Sequence, residues 1–167
     1  LDGTREYSEV PRTDWAVHVA LVSDNRPIAG AVALPALGLV LSTADVPTLV
    51  PAGATPARMI VSRSRPPAAA THVANVIGAD LVQMGSAGAK AMAVVRGECE
   101  IYVHSGGQYE WDSCAPVAVA AAAGCHVSRL DGSELLYNQD DVYLPDLIVC
   151  RPELAESVLA ALNTFEG

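Results

Sequence analysis

Basic side chains are scarce. Ten Lys and Arg stand against nineteen Asp and Glu, a formal net charge of -9. That balance argues against non-specific nucleic-acid binding and against docking on anionic membranes. No apolar run approaches the ~20 residues that span a bilayer. A signal peptide and an initiator Met are missing too, which predicts a fragment or a processed chain. The four cysteines (Cys99, Cys114, Cys125, Cys150) show no C-x-x-C spacing. The expectation is a reduced, cytoplasmic chain with buried structural thiols, not a zinc site or a catalytic cysteine. No His-x-x-x-His pair suggests zinc. His18 and His126 read as structural, and His72 as a helix-face residue. No local motif supports a Ser/His/Asp triad.

At 167 residues the chain is long enough for one domain or two small ones. Its apolar fraction of 51% is ordinary for a globular core. An acidic protein that handles a phosphate ester must reverse the local field. It can do so with a metal ion, local Lys/Arg or exposed backbone N–H groups.

Residues 14–22, 28–34 and 37–43 read as an antiparallel strand meander, turning at Asn25-Arg26-Pro27. Residues 45–57, rich in Pro, Gly and Ala, read as a linker. Beyond it strands alternate with helices. Strands are expected at 58–62, 81–84, 100–104, 126–130 and 147–150, and helices at 66–77, 86–96, 112–123 and 152–163. Gly78, Gly97 and Gly124 serve as helix stops. The expected fold is therefore α/β (α+β overall). Antiparallel strands form an N-terminal unit (1–56), and a mainly parallel α/β unit (57–167) follows.

Two motifs stand out. Asp2-Gly3-Thr4 places a hard carboxylate, suited to Mg²⁺, beside amides that a tight turn can aim at phosphate. Glu110-Trp111-Asp112-Ser113-Cys114-Ala115-Pro116 puts Asp112 at the expected N-cap of an Ala-rich helix, whose field favours anions. Alone, each has a plain alternative, a common turn and an ordinary cap. Val61-Ser62-Arg63-Ser64-Arg65 follows a strand, where ligands collect in α/β sheets. Its arginines either fork onto a second phosphate or form a solvated turn. Gly85-Ser86-Ala87-Gly88-Ala89-Lys90 opens a helix but fits neither the Walker pattern nor the nucleophile elbow. Ser86 and Lys90 share a helix face, so Lys90 either meets an anion or is a surface lysine. His104 enters an expected Ser105-Gly106-Gly107 loop. Asp140-Asp141 reads as a polar loop.

Taken together, these strings resemble the magnesium-dependent, lithium-sensitive phosphatase superfamily of inositol monophosphatases and fructose-1,6-bisphosphatases. The chain looks like the C-terminal two-thirds of it, most similar to the CysQ-like 3'(2'),5'-bisphosphate nucleotidases. The resemblance implies the sugar-phosphatase fold and two or three Mg²⁺ ions across which a phosphate monoester binds. It implies metal ligation by Asp2, the Leu1 carbonyl and Asp112. Thr4 would orient the attacking water, and Gly3 and Thr4 would supply phosphate-binding amides. Ser62, Arg63, Ser86, Lys90, His104 and Asp112 would contact substrate. The implied reaction releases the 3'-phosphate of 3'-phosphoadenosine 5'-phosphate to leave AMP, clearing a by-product of sulfate assimilation. Inositol and fructose bisphosphate phosphatases, and a non-catalytic nucleotide-binding module, are the alternatives. Homodimers are common in this superfamily, but no residue here argues for one. The family's upstream Asp-Pro and Glu ligands are not in this sequence. Little or no activity is therefore expected of this chain by itself.

Overall fold

The computed structural model describes residues 1–49 and 55–166. Strands β1 (Val17–Ser23), β2 (Arg26–Leu34) and β3 (Leu39–Ser42) form the expected antiparallel meander. Asp24 and Asn25 both take positive φ, as a two-residue hairpin turn requires. Residues 50–54 of the expected linker lie outside the described residues.

A second sheet holds β4 (Arg58–Ser62), β5 (Asp80–Met84), β6 (Ile101–Tyr109), β7 (His126–Ser128) and β8 (Tyr143–Cys150). Its order is β5-β4-β6-β8-β7. β4 pairs in parallel with β5 and with β6. β8 inserts between β6 and β7 and runs antiparallel to both. The sheet is thus mixed, and the expected parallel arrangement holds for only half of it. The physical reason lies in residues 129–142. They carry turns and no crossover helix, and a parallel β7–β8 connection needs one.

Five helices fill the layers: α1 (Thr4–Ser8), α2 (Ala68–Ile77), α3 (Ala87–Val95), α4 (Glu110–Ala122) and α5 (Ala155–Leu162). Alternation along the central strands sends side chains to two cores. Met59, Val61, Ile101, Val103, Ile148 and Cys150 face α2 and α5. Ile60, Tyr102, Leu147 and Val149 face α3 and α4. The same core continues through Ala16, Val32, Leu34 and Leu41 into the small sheet. Helices α3 and α4 therefore lie sandwiched between two sheets. Their many Ala and Gly residues allow that approach, and α3 is buried along its length from Gly88 to Val95.

Strand β2 approaches α4 closely at Gly30. A Cβ there would sit 2.8 Å from Ala118 Cβ and 3.0 Å from the Ala115 carbonyl oxygen of α4. The obstacles are a methyl group and backbone, so neither can swing aside. Gly30→Val is expected to cost about 1–3 kcal/mol by overpacking, read as a lowered urea midpoint. An unchanged midpoint would show that α4 can lift off the sheet freely.

Three local readings need correction. α1 has no counterpart in the sequence reading, because five residues carry too little periodicity. β6 does not end at His104; it continues to Tyr109 through a bulge at Ser105–Gln108, where Gly106 and Gly107 take positive φ. Asp112 is not the N-cap of its helix. α4 starts at Glu110, and Asp112 is its third residue.

All four cysteines are free and buried, as expected. No helix among the described residues is long and apolar enough to cross a membrane.

Candidate active site

Asp2 is fixed from two sides. Its backbone forms both hydrogen bonds of an antiparallel bridge with Ala16, at 2.8 and 2.9 Å. Its carboxylate reaches across to the start of α3. There Oδ2 accepts the Ser86 hydroxyl and the Gly88 N–H, the latter at 2.8 Å. The first Asp motif thus rests on the Gly85–Lys90 segment, two stretches that the sequence alone could not place together.

Asp112 approaches from α4. Its Oδ2 accepts the Tyr109 N–H at 2.9 Å, closing the first turn. His18 bridges the two segments: its Nε2 lies 3.6 Å from Asp2 Oδ2, and its Nδ1 lies 3.3 Å from the carbonyl oxygen of Trp111, the residue before Asp112. The two signatures therefore converge on one region, although 110 residues separate them.

Lys90 is the chain's one lysine, and it is 5% exposed. It is not a surface residue. Its Nζ donates to the Ser86 carbonyl at 2.9 Å and lies 5.3 Å from the Tyr102 ring centroid. Burial pulls its pKa from 10.5 down to about 8, against the carboxylates of Asp2, Glu6, Asp14 and Asp112. Above pH 8 the folded chain sheds this proton, while the unfolded chain holds it to 10.5. The unfolded state then binds more protons, so stability rises with pH in that window. The buried thiols act oppositely. Burial raises Cys99, Cys114 and Cys125 to about 11 and Cys150 to about 12, from 9.0. Their contribution falls as pH rises through 9, and four thiols offset the gain from one lysine. The lysine is therefore read by difference: from pH 8 to 9 the unaltered chain is expected to gain stability relative to Lys90→Met in urea titrations. A difference that does not change with pH would contradict the lowered lysine pKa.

Arg63 is not free to fork onto phosphate. Its Nη2 pairs with Glu6 Oε1 and with Glu9 Oε2, both at 3.0 Å. It clamps α1, which carries Thr4, onto the end of β4. Ser86 is likewise committed to the protein: its hydroxyl donates to Asp2 and accepts the Ala89 N–H at 3.1 Å. Its role here is to hold Asp2.

Sequence reasoning missed three residues. Glu6 is one, as the partner of Arg63. Asp14 is another; its Oδ2 accepts the Gly85 N–H at 2.6 Å and pairs with Arg12. The third is His18, read as structural. Its Nδ1 lies 3.3 Å from the Trp111 carbonyl, and its Nε2 lies 3.6 Å from Asp2 Oδ2. It packs so tightly on Gly88 that any Cβ there would collide with the ring. An isolated His on a strand gives no sequence signal of such a contact.

A crevice of 410 Å³ opens beyond the carboxyl end of β4 and beside the bulge of β6, lined by Ser62, Ser64, Arg65, His104, Gly106 and Gly107. From β4 the chain leaves to β5 on one side, then returns to β6 on the other. That reversal is the place where open α/β sheets bind ligands. Burial lowers the His104 pKa below 6.5, so the ring is neutral at pH 7, and its Nε2 lies 3.2 Å from the Gly107 carbonyl.

The donor set fits magnesium in kind. Asp2 and Asp112 are hard oxygen ligands, and each binds the protein through Oδ2, with Oδ1 taking no hydrogen bond among the described residues. It falls short in number. No group of three or more His, Cys, Asp or Glu side chains is placed to hold a metal ion among the described residues.

The pattern of the inositol monophosphatase family matches residues 1–165. A protein of Mycobacterium bovis named 3'-phosphoadenosine 5'-phosphate phosphatase is 51% identical over 97% of this chain and 64% of its own length. One of the same name from Mycobacterium leprae is 48% identical over 98% of this chain and 65% of its own. The chain thus spans slightly less than two-thirds of these relatives. Among solved structures, an inositol monophosphatase from Zymomonas mobilis superposes with a TM-score of 0.78 at 20% identity, covering 97% of this chain and 67% of that one. That likeness establishes the shared fold, and the sequence match extends over nearly every residue. The chain belongs to the inositol monophosphatase family.

Proposed function

We propose that this chain forms the larger part of a Mg²⁺-dependent phosphomonoesterase. Its substrate is 3'-phosphoadenosine 5'-phosphate, and the products are AMP and phosphate. The observation that carries the reading is the convergence of Asp2 and Asp112 on one region beside a buried lysine. The near-50% identity to proteins of that name supports the choice of substrate.

The free oxygens of Asp2 and Asp112, with the Leu1 carbonyl, would hold Mg²⁺. The bound metal neutralises phosphate charge and lowers the pKa of water. Ser86 and the Gly88 N–H keep the Asp2 carboxylate oriented. Thr4, at the start of α1, positions water through its hydroxyl, and the Arg63 clamp holds that helix in place. Ser62, Arg65 and His104 offer polar contacts to the rest of the substrate in the crevice. Fewer oxygen ligands than octahedral Mg²⁺ demands means weak metal binding and slow turnover by the 167-residue chain.

Phosphate release with and without Mg²⁺ tests the reading. The nucleotide is expected to be turned over far faster than inositol 1-phosphate or fructose 1,6-bisphosphate. Equal rates for all three would refute nucleotide selectivity. The shortage of ligands favours one second reading, a nucleotide-binding module without turnover. It predicts nucleotide binding that is indifferent to Mg²⁺.

A further inference from the structure

The chain has only eight aromatic residues: five Tyr, two Trp and one Phe. Three of them stand together in water. Tyr109 is 48% exposed, Trp111 60% and Tyr143 50%. Tyr109 and Trp111 stack, with centroids 4.7 Å apart and planes within 12°. Tyr143 meets Tyr109 edge-on, at 6.4 Å and 82°. Nothing in the core requires this grouping, and apolar rings left in water forgo the gain of burial.

Its position gives it a use. Tyr109 ends β6 and pairs across the ladder with Tyr143 of β8. Its own N–H holds the Asp112 carboxylate. Tyr143 leans over Gly107, where any Cβ would collide with the tyrosine ring. Gly107 in turn lines the crevice with His104 and Ser62. The aromatic group therefore bridges the rim of the crevice and the helix start that carries Asp112.

We propose that Tyr109, Trp111 and Tyr143 form a shelf that stacks the purine base of the substrate and so selects nucleotides over inositol and sugar phosphates. This rests on the nucleotide reading above and adds the element that enforces it. A base presents a flat π-face, while an inositol or sugar ring presents none. Stacking on exposed aromatics tolerates any base, so the shelf reads base against no base, and not which base. Tyr109 is the central ring, because it touches both of the others.

The test uses the 167-residue chain and calorimetric titration with 3'-phosphoadenosine 5'-phosphate and with inositol 1-phosphate, in the presence of Mg²⁺. In Tyr109→Ala/Tyr143→Ala, the ratio of nucleotide to inositol phosphate affinity is expected to fall about tenfold or more. Tyr109→Phe/Tyr143→Phe keeps the rings and is expected to retain the ratio. Circular dichroism melting shows whether each variant folds. If the Ala pair does not, Tyr143→Ala alone, on the exposed rim, is expected to lower the ratio by a smaller factor. Nucleotide bound by the unaltered chain with a ratio the Ala variants leave unchanged would overturn the shelf alone. No preference for nucleotide in the unaltered chain would overturn both the shelf and the nucleotide reading. A protein-docking role for the three rings would appear as the first of these results.

Discussion

In the enzyme of which this chain is proposed to form the larger part, Asp2→Asn is expected to cut Mg²⁺-dependent phosphate release by on the order of 10³-fold, with little change in folding stability. The amide keeps the shape of the side chain. Its oxygen can still accept the Gly88 N–H and the Ser86 hydroxyl, the two bonds that fix Asp2 in place. What it loses is charge at the metal-facing oxygen. Metal stabilisation of a phosphoryl transition state supplies several kcal/mol, and about 1.4 kcal/mol is a factor of ten. Initial rates of release, with urea denaturation in parallel, measure both quantities. A rate within tenfold of the unaltered protein would remove Asp2 from the metal-binding set. A collapse in stability would mean that its charge, facing Lys90, holds the fold together.

The second large effect lies far from the site. Arg58→Met is expected to destabilise the chain by about 3 kcal/mol. Glu100 is 1% exposed. Its carboxylate accepts from the Arg58 backbone N–H at 2.7 Å, from Nη2 at 2.8 Å and from Nε at 3.2 Å. Burial pushes its pKa up, but the Arg58 hydrogen bonds outweigh burial and hold it below 4.5. Removing the guanidinium leaves a buried carboxylate with one backbone donor from that residue. Breaking such a pair costs about 3–5 kcal/mol. The lower end applies here, because the Arg58 side chain is 37% exposed and screened by water. The pH dependence follows from the sign of the shift. A carboxyl held below 4.5 contributes stability that is present above 4.5 and lost as pH falls through the folded value. The gap between the two proteins therefore narrows in acid. Urea midpoints at pH 7 and pH 4 check this, and a gap that widens in acid would contradict the pairing.

The sequence revealed what is local. Strand β4 falls on residues 58–62, as the short apolar run Arg58–Ser62 suggested. Alternation placed the meander, and Gly78 stops α2 where expected. The long-range facts were hidden. No local pattern tells that β8 inserts between β6 and β7, because strand order depends on pairing partners remote in sequence. The same holds for the site. Asp2 and Asp112 were legible as motif residues, but the commitments of their neighbours were not. Arg63 looked free to bind phosphate because Glu6 and Glu9 lie more than fifty residues away. Lys90 could pass for a surface lysine because its exposure depends on how α3 is sandwiched, not on its own surroundings in sequence. Asp112 read as a helix cap because a start two residues earlier, at Glu110, carries no stronger signal.

The bonds that assemble the site join residues far apart along the chain: 84 and 86 positions separate Asp2 from Ser86 and Gly88, and 93 separate His18 from Trp111. Loops of that length close late, after local structure has formed. A partly folded intermediate that lacks the two-sheet sandwich cannot bring these residues together, so the site is expected to assemble late in refolding. The Gly88 amide, bonded to Asp2, is accordingly expected to be among the slowly exchanging amides, a result that native-state hydrogen exchange checks. Its exchange rate would then gauge global stability from inside the site itself.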